Sequence, residues 1–147
     1  MILELDANYM RPVVILHGIT ALVDTGALFP IASMDPQVLI DAFDAKLVIE
    51  NTSISGFGGE CRGSVYKIPC FILSKLTYPD FHVFVPENKN IIETEFLFSA
   101  TMFNGLVYEF DTVNHKMLIQ VPDRESCVRN LKIYDSEGKL YVLVQTQ

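Results

Sequence analysis

Short apolar or alternating runs dominate this chain, and each of them is bounded by turn-forming residues. PVVIL, ITALV and FHVFV, for example, are closed off by Gly, Pro, Asn or Asp. Apolar runs of this length favour strands, while Gly, Pro, Asn and Asp between them favour tight turns. The pattern therefore predicts an all-β protein with one or two short helices.

Several hairpins follow from the same pattern. The expected turns lie at residues 17–18, in a connection that contains Gly56, Gly58, Gly59 and Gly63, and at residues 112–114 and 135–138. The second of these turns is glycine-rich and joins two long strand segments, so we expect a long, mobile hairpin there. The segment TEFLFSATMFNGL is expected to form a helical turn or two, ending near Asn104-Gly105, where left-handed conformations cost little.

The strongest helix candidate is DPQVLIDAF. Asp35 can cap the helix, and Pro36 suits its first position. Val38, Leu39 and Phe43 are expected to share its apolar face.

Length and composition indicate one domain with a real core. The chain has 147 residues, half of them hydrophobic, with ten Phe and six Tyr. Single domains commonly run from about 50 to 250 residues. We therefore expect a single domain over residues 1–147, with a core at about 13–121 and a C-terminal hairpin extension at 122–147.

Charge and residue spacing argue against several classes of partner. A net charge of -7 with scattered Lys and Arg disfavours nucleic acid, whose affinity needs clustered cations. No apolar run approaches the ~20 residues of a membrane span, and the acidic N-terminus is unlike a signal peptide. Three Cys without CxxC spacing and three separated His predict neither a disulfide framework nor a metal site. We expect a cytoplasmic protein that neither binds a membrane nor carries a metal ion or a cofactor.

The most informative segment is ALVDTGA, in which a carboxylate follows a buried-looking strand. On its own, Asp24-Thr25-Gly26 can be a plain strand end followed by a turn. The apolar residues just before it, however, place Asp24 at the inner end of a buried strand, where an uncompensated charge is costly.

Two such carboxylates in contact would resolve that cost, because they can share one proton. The ionised member can then take a proton from water, while the protonated member donates to a carbonyl oxygen. Since the chain has one Asp-Thr-Gly, the second carboxylate would come from another copy. This reasoning predicts a symmetric homodimer with its site on the two-fold axis.

Three motifs in order resemble the retropepsin-like aspartic proteases, the family that includes the retroviral proteases. ALVDTGA with the following LFPIAS resembles the catalytic strand and loop. ISGFGGE is similar to the glycine-rich flap tip, and FLFSATMFNGLVYEFDTVNHKMLI is similar to the family's later helix-and-strand segment. Together they span roughly residues 13–119.

The resemblance implies a bent or closed β-barrel subunit and an aspartic endopeptidase that cleaves protein or peptide substrates as a homodimer. Asp24 would be the catalytic carboxylate, Thr25 would bond across the dimer, and Gly26 would let the loop approach its mate. Substrate would contact Ala27 and the flap residues Ser55, Gly56, Phe57, Gly58 and Gly59.

Two departures from the family pattern keep other functions open. Ser99 follows Leu97-Phe98 where the family usually has Gly, and nothing in the resemblance accounts for the hairpin after Pro122. One alternative is a catalytically silent peptide-binding or dimerisation module of the same fold. Another is a regulated protease that is inactive as a monomer.

Overall fold

The computed structural model describes residues 1–121 and 127–146, most of which lie in β-strands. The strands are β1 (Ile2–Glu4), β2 (Val13–Leu16), β3 (Ile19–Asp24), β4 (Ile31–Ala32), β5 (Lys46–Gly56), β6 (Gly59–Leu73), β7 (Leu76–Pro86), β8 (Phe96–Ser99), β9 (Tyr108–Asp111), β10 (Lys116–Ile119), β11 (Cys127–Ser136) and β12 (Lys139–Thr146). One α-helix, α1 (Pro36–Phe43), and one short 3-10 helix (Ala100–Phe103) complete the described elements. The all-β prediction is confirmed.

The four predicted hairpins are also present. They are β2–β3, β5–β6, β9–β10 and β11–β12, all antiparallel. The first turns at His17 and Gly18, both with positive φ, which is the geometry of tight two-residue hairpin turns. The polar segment DRESCVRN, residues 123–130, was expected to lead into the last hairpin. Its first four residues lie outside the described residues, and its last four form the start of β11.

The strands form two sheets. The smaller has the order β1-β10-β9, and the larger runs β12-β11-β7-β4-β8-β3-β2, with β6 paired to β7 and β5 paired to β6. Within the described ranges β2 and β12 end the large sheet without pairing to each other, so the strand pairings there do not close into a barrel.

Helix α1 begins as predicted. The Asp35 carboxylate accepts a hydrogen bond from the Gln37 N–H at 2.8 Å, and Pro36 occupies the first turn. Leu39 is fully buried and Phe43, one turn later, packs against the core. Val38 is 53 % exposed, so its predicted place on the buried face is wrong. A step of one residue turns it about 100° away from Leu39.

The segment expected to be helical around residue 100 divides into two parts. Phe96–Ser99 forms strand β8, and only Ala100–Phe103 is helical. All four residues of β8 are buried, because the strand lies inside the large sheet between β4 and β3. Such a short run, buried on both faces, favours a strand over a helix.

A cluster of aromatic side chains packs against β8. Phe71 stacks on Phe81 with ring centroids 4.9 Å apart, and it also contacts Phe96 at 5.7 Å and Phe98 at 5.9 Å. Buried aromatic pairs of this kind add about 1 kcal/mol each beyond the area they bury. Strand β8, which pairs with β3, is therefore packed against a buried aromatic cluster.

Strands β3 and β8 run parallel, with Asp24 aligned to Ser99. Because both strands end at that pair, the segments that follow them emerge at the same edge of the sheet. The fold thus brings the Asp24 loop against the 3-10 helix. Separately, no helix in residues 1–121 or 127–146 is long and apolar enough to span a membrane.

Candidate active site

Asp24 is the last residue of β3, directly after the buried residues Ala21, Leu22 and Val23. Its predicted position at the inner end of a strand is correct. Its side chain, however, is 30 % exposed in the single chain, so the expected burial is only partial. The carboxylate lies at the border between core and solvent.

Hydrogen bonds within its own turn and one ion pair hold Asp24. The Gly26 N–H donates to Oδ1 at 2.9 Å, and the Ala27 N–H donates to the Asp24 carbonyl at 3.1 Å. The Arg11 Nη2 lies 3.6 Å from Oδ2, with the arginine side chain 65 % exposed. An ion pair this exposed contributes at most about 1 kcal/mol, so the turn itself does most to orient the carboxylate.

Gly26 has a steric role within the single chain. A Cβ placed there would lie 3.3 Å from the Asp24 Oδ1, tighter than an ordinary van der Waals contact. Glycine therefore lets the loop fold back close enough for its N–H to reach the carboxylate.

The 3-10 helix holds the loop that follows Asp24. The Ala100 N–H donates to the Ala27 carbonyl at 3.0 Å, and the Thr101 Oγ1 donates to the Leu28 carbonyl at 2.6 Å. The Ser99 Oγ lies 2.6 Å from the Thr101 Oγ1. Because the Thr101 hydrogen is used for Leu28, Ser99 must be the donor in that pair.

The Ser99 side chain is therefore accommodated in this structure. It is fully buried, and its hydroxyl extends the hydrogen-bond chain that ends on the loop. Where the resemblance expects a glycine, this chain has a hydroxyl that supports the loop from behind.

The predicted flap is the β5–β6 hairpin. Ser55 and Gly56 end β5, Gly59 begins β6, and Phe57-Gly58 form a two-residue turn in which both residues have positive φ. Phe57 is 48 % exposed. A bulky residue in a left-handed turn is uncommon, and here it carries an apolar ring at the tip of the hairpin.

Two cavities meet between the loop and the flap tip. Their volumes are about 590 Å³ and about 300 Å³, and both are lined by Asp24 and Phe57. The smaller cavity is mostly apolar and is also lined by Gly26, Ala27, Leu28, Phe29, Ile31, Ile54, Ser55 and Gly56.

Most of the predicted site residues are thus brought together, but three are not part of these two cavities. Thr25 is exposed at the loop surface, and its side chain makes no hydrogen bond to any of the described residues. Gly58 and Gly59 instead line a separate cavity of about 360 Å³ beside Glu60 and Glu87.

The other groups near the site do not indicate cysteine or metal chemistry. Burial, followed by the nearby Glu87 charge, raises the pKa of the Cys61 thiol in β6, which disfavours the reactive thiolate. Among the described residues, no three His, Cys, Asp or Glu side chains cluster as metal ligands would. The carboxylates that line the two cavities are Asp24 and Glu93.

Two residues that contact the site were not predicted from sequence. Arg11 lies in a loop before β2 and carries no local signal that it would reach Asp24. Thr101 lies two residues after Ser99, and its contact with Leu28 depends on the parallel β3–β8 pairing, which spans more than 70 residues of sequence.

The chain matches no family model, no curated protein and no solved structure in comparisons with known proteins.

Proposed function

We propose that this protein is a retropepsin-like aspartic endopeptidase that acts as a homodimer. The observation that carries the proposal is the position of Asp24. Its carboxylate ends a buried strand, is oriented by the Gly26 N–H at 2.9 Å, and lines two cavities beneath the flap-tip residue Phe57.

The second carboxylate of the dyad comes from a second copy of the chain. The surface around Asp24 supports this, because it carries exposed apolar side chains at Met10, Leu28 and Phe57. Exposed apolar groups gathered around a cleft commonly mark an interface. A second copy, related to the first by a two-fold axis beside Asp24, would cover these side chains and bring the two carboxylates together.

The dyad would hydrolyse an amide without a covalent intermediate. The ionised carboxylate takes a proton from a water molecule, whose oxygen attacks the peptide carbonyl carbon. The protonated carboxyl donates to the carbonyl oxygen, which gives a gem-diol. The first carboxyl then returns the proton that it took from water to the leaving nitrogen, the C–N bond breaks, and a gem-diol hydroxyl gives its proton back to the second carboxylate. One proton shared between two like charges supplies both roles.

The cavities suggest how a substrate would bind. An extended peptide fits between loop and flap, where it can bond to the backbone and place alternate side chains in the cavities. The smaller cavity is lined by Leu28, Phe29, Ile31 and Ile54. We therefore expect cleavage beside apolar side chains.

The contact between Arg11 and Asp24 favours a second candidate, a silent module that binds peptides without cleaving them. In a single chain the guanidinium, at 3.6 Å, already accompanies the carboxylate. If Arg11 keeps that place in the dimer, its guanidinium accompanies the Asp24 carboxylate in place of a second carboxylate, and only the binding cleft remains.

Cleavage of a diverse peptide mixture between pH 4 and 7, read by mass spectrometry, tests the proposal. The wild-type protein is expected to cut, and Asp24→Asn is expected to be inert. Glu93→Gln is the matched control, because it removes the other carboxylate of the cavities. Loss of cleavage in Glu93→Gln would instead indicate a dyad within one chain, and binding without cleavage would support the silent module.

A further inference from the structure

Arg129 is a fully buried guanidinium in the C-terminal hairpin. It is 1 % exposed and belongs to β11, outside the segment that carries the family resemblance. A buried cation is costly unless its N–H groups are satisfied by good acceptors. Its partners therefore indicate why the residue is there.

Two of those partners are carbonyl groups at the end of the 3-10 helix. The Arg129 Nε donates to the Met102 carbonyl at 2.9 Å, and Nη2 donates to the Asn104 carbonyl. The remaining Nη1 donates to the Thr146 Oγ1 in β12 at 3.0 Å. Carbonyls at a helix C-terminus lack partners within the helix and carry partial negative charge, so they suit a cation.

The other end of the same helix holds the candidate catalytic loop. Ala100 and Thr101 bind the carbonyls of Ala27 and Leu28 at 3.0 and 2.6 Å. The helix has only four residues, so a shift at its C-terminal end moves both contacts. A continuous path of direct contacts thus leads from the C-terminal hairpin to the loop.

We propose that Arg129 is a positioning residue, through which the C-terminal hairpin braces the Asp24 loop. By fixing the end of the 3-10 helix it keeps Ala100 and Thr101 in place against the loop. Its effect on catalysis rests on the proposed function, whereas its effect on the loop does not.

Amide hydrogen exchange, measured residue by residue by NMR, tests the brace directly. The probes are the amides of Ala27 and Ala100, which are hydrogen-bonded within the loop and between helix and loop. In Arg129→Met we expect their exchange to rise about tenfold or more through local opening. Arg129→Lys, whose ammonium can still reach one carbonyl, is expected to restore part of the protection.

Leu131→Ala is the matched control. Leu131 lies two residues along the same strand and is equally buried, but its apolar side chain offers the helix no donor. Compared in denaturant concentrations that equalise global stability, it should leave the two amides protected. Equal exchange in Leu131→Ala and Arg129→Met, or unchanged exchange in Arg129→Met, would overturn the brace.

Peptide cleavage separates this inference from the proposed function. In an active wild-type protein, Arg129→Met is expected to lower kcat at least about tenfold with little change in KM, because a displaced loop misplaces the reacting carboxylate more than it weakens peptide binding. A wild-type protein that cleaves nothing would overturn the proposed function alone, since the exchange experiment would still decide whether Arg129 braces the loop.

Discussion

At the scale of single residues, other atoms approach two glycines closely. Gly26 leaves room for the Asp24 carboxylate. Gly63, in β6, faces the backbone of β7, where an added Cβ would lie 2.3 Å from the Val85 carbonyl oxygen and 2.7 Å from the Phe84 ring. The Val85 oxygen belongs to the backbone of a paired strand and the Phe84 ring is fully buried, so neither neighbour can move aside cheaply.

Gly63→Ala is therefore expected to lower the free energy of unfolding by about 3 kcal/mol, at the upper end of typical overpacking costs. Gly59→Ala is the matched control on the same strand, because nothing lies within 4 Å of its Cβ position. It should change stability by less than about 0.5 kcal/mol. Urea unfolding of the two variants measures the difference, and similar midpoints for both would contradict the crowding at Gly63.

At the scale of elements, a buried histidine joins β7 to β11. The His82 Nδ1 accepts a hydrogen bond from the Ile133 N–H at 2.9 Å and is 6 % exposed. Burial lowers the pKa of His82, and the charges of Lys132 and Lys67 lower it further, while the Ile133 carbonyl and Asp80 act in the opposite direction. The fold therefore favours the neutral imidazole.

This has a defined consequence for stability against pH. The folded-state pKa lies below the unfolded value of about 6.5, so the contribution of His82 is fully present above pH ~6.5 and is lost as pH falls through the folded pKa. His82→Asn keeps an acceptor for the Ile133 N–H but does not titrate. Urea unfolding at pH 8 and pH 5 should show a smaller loss for the variant, and equal losses would count against the buried neutral histidine.

The flap hairpin is the second element with a testable role. Phe57 is half-exposed yet lines both cavities beside Asp24, so its ring can cover a bound peptide and exclude water. Phe57→Ser should lower kcat/KM about tenfold with little change in Tm. Ile72→Ser, at the opposite end of β6 and 56 % exposed, should change neither. Full activity in Phe57→Ser would remove the flap tip from the site.

Local pattern predicted the hairpins and the capped helix, whereas the grouping of Asp24 with the flap tip was implied only by the family resemblance. It did not predict β8 as a strand or the pairing of β1 with β10, because such long-range pairings leave no signal in neighbouring residues. Arg129 did carry a signal, since it shares the period-two face of β11 with the buried Cys127, Leu131 and Ile133. A charged residue at an alternating position among apolar residues suggests that it is buried. Only the tertiary structure shows that its partners are Met102, Asn104 and Thr146.

At the scale of the whole molecule, the single chain supplies one of the two carboxylates of the proposed dyad. It carries one Asp-Thr-Gly and a cleft bordered by exposed apolar side chains. Each copy also carries a net charge of -7, so association works against long-range repulsion that salt screens. Activity that depends on a second copy would rise faster than linearly with protein concentration, as a regulated protease requires.

The most direct measurement of a site shared between two copies is a subunit-mixing titration. Wild-type protein is equilibrated with increasing Asp24→Asn protein, in salt that screens repulsion, and peptide cleavage is measured per wild-type chain. With the variant in about tenfold excess, nearly all wild-type chains are in mixed dimers with one carboxylate, so activity should fall to about a tenth. Activity per wild-type chain that stays constant throughout the titration would contradict the two-copy dyad.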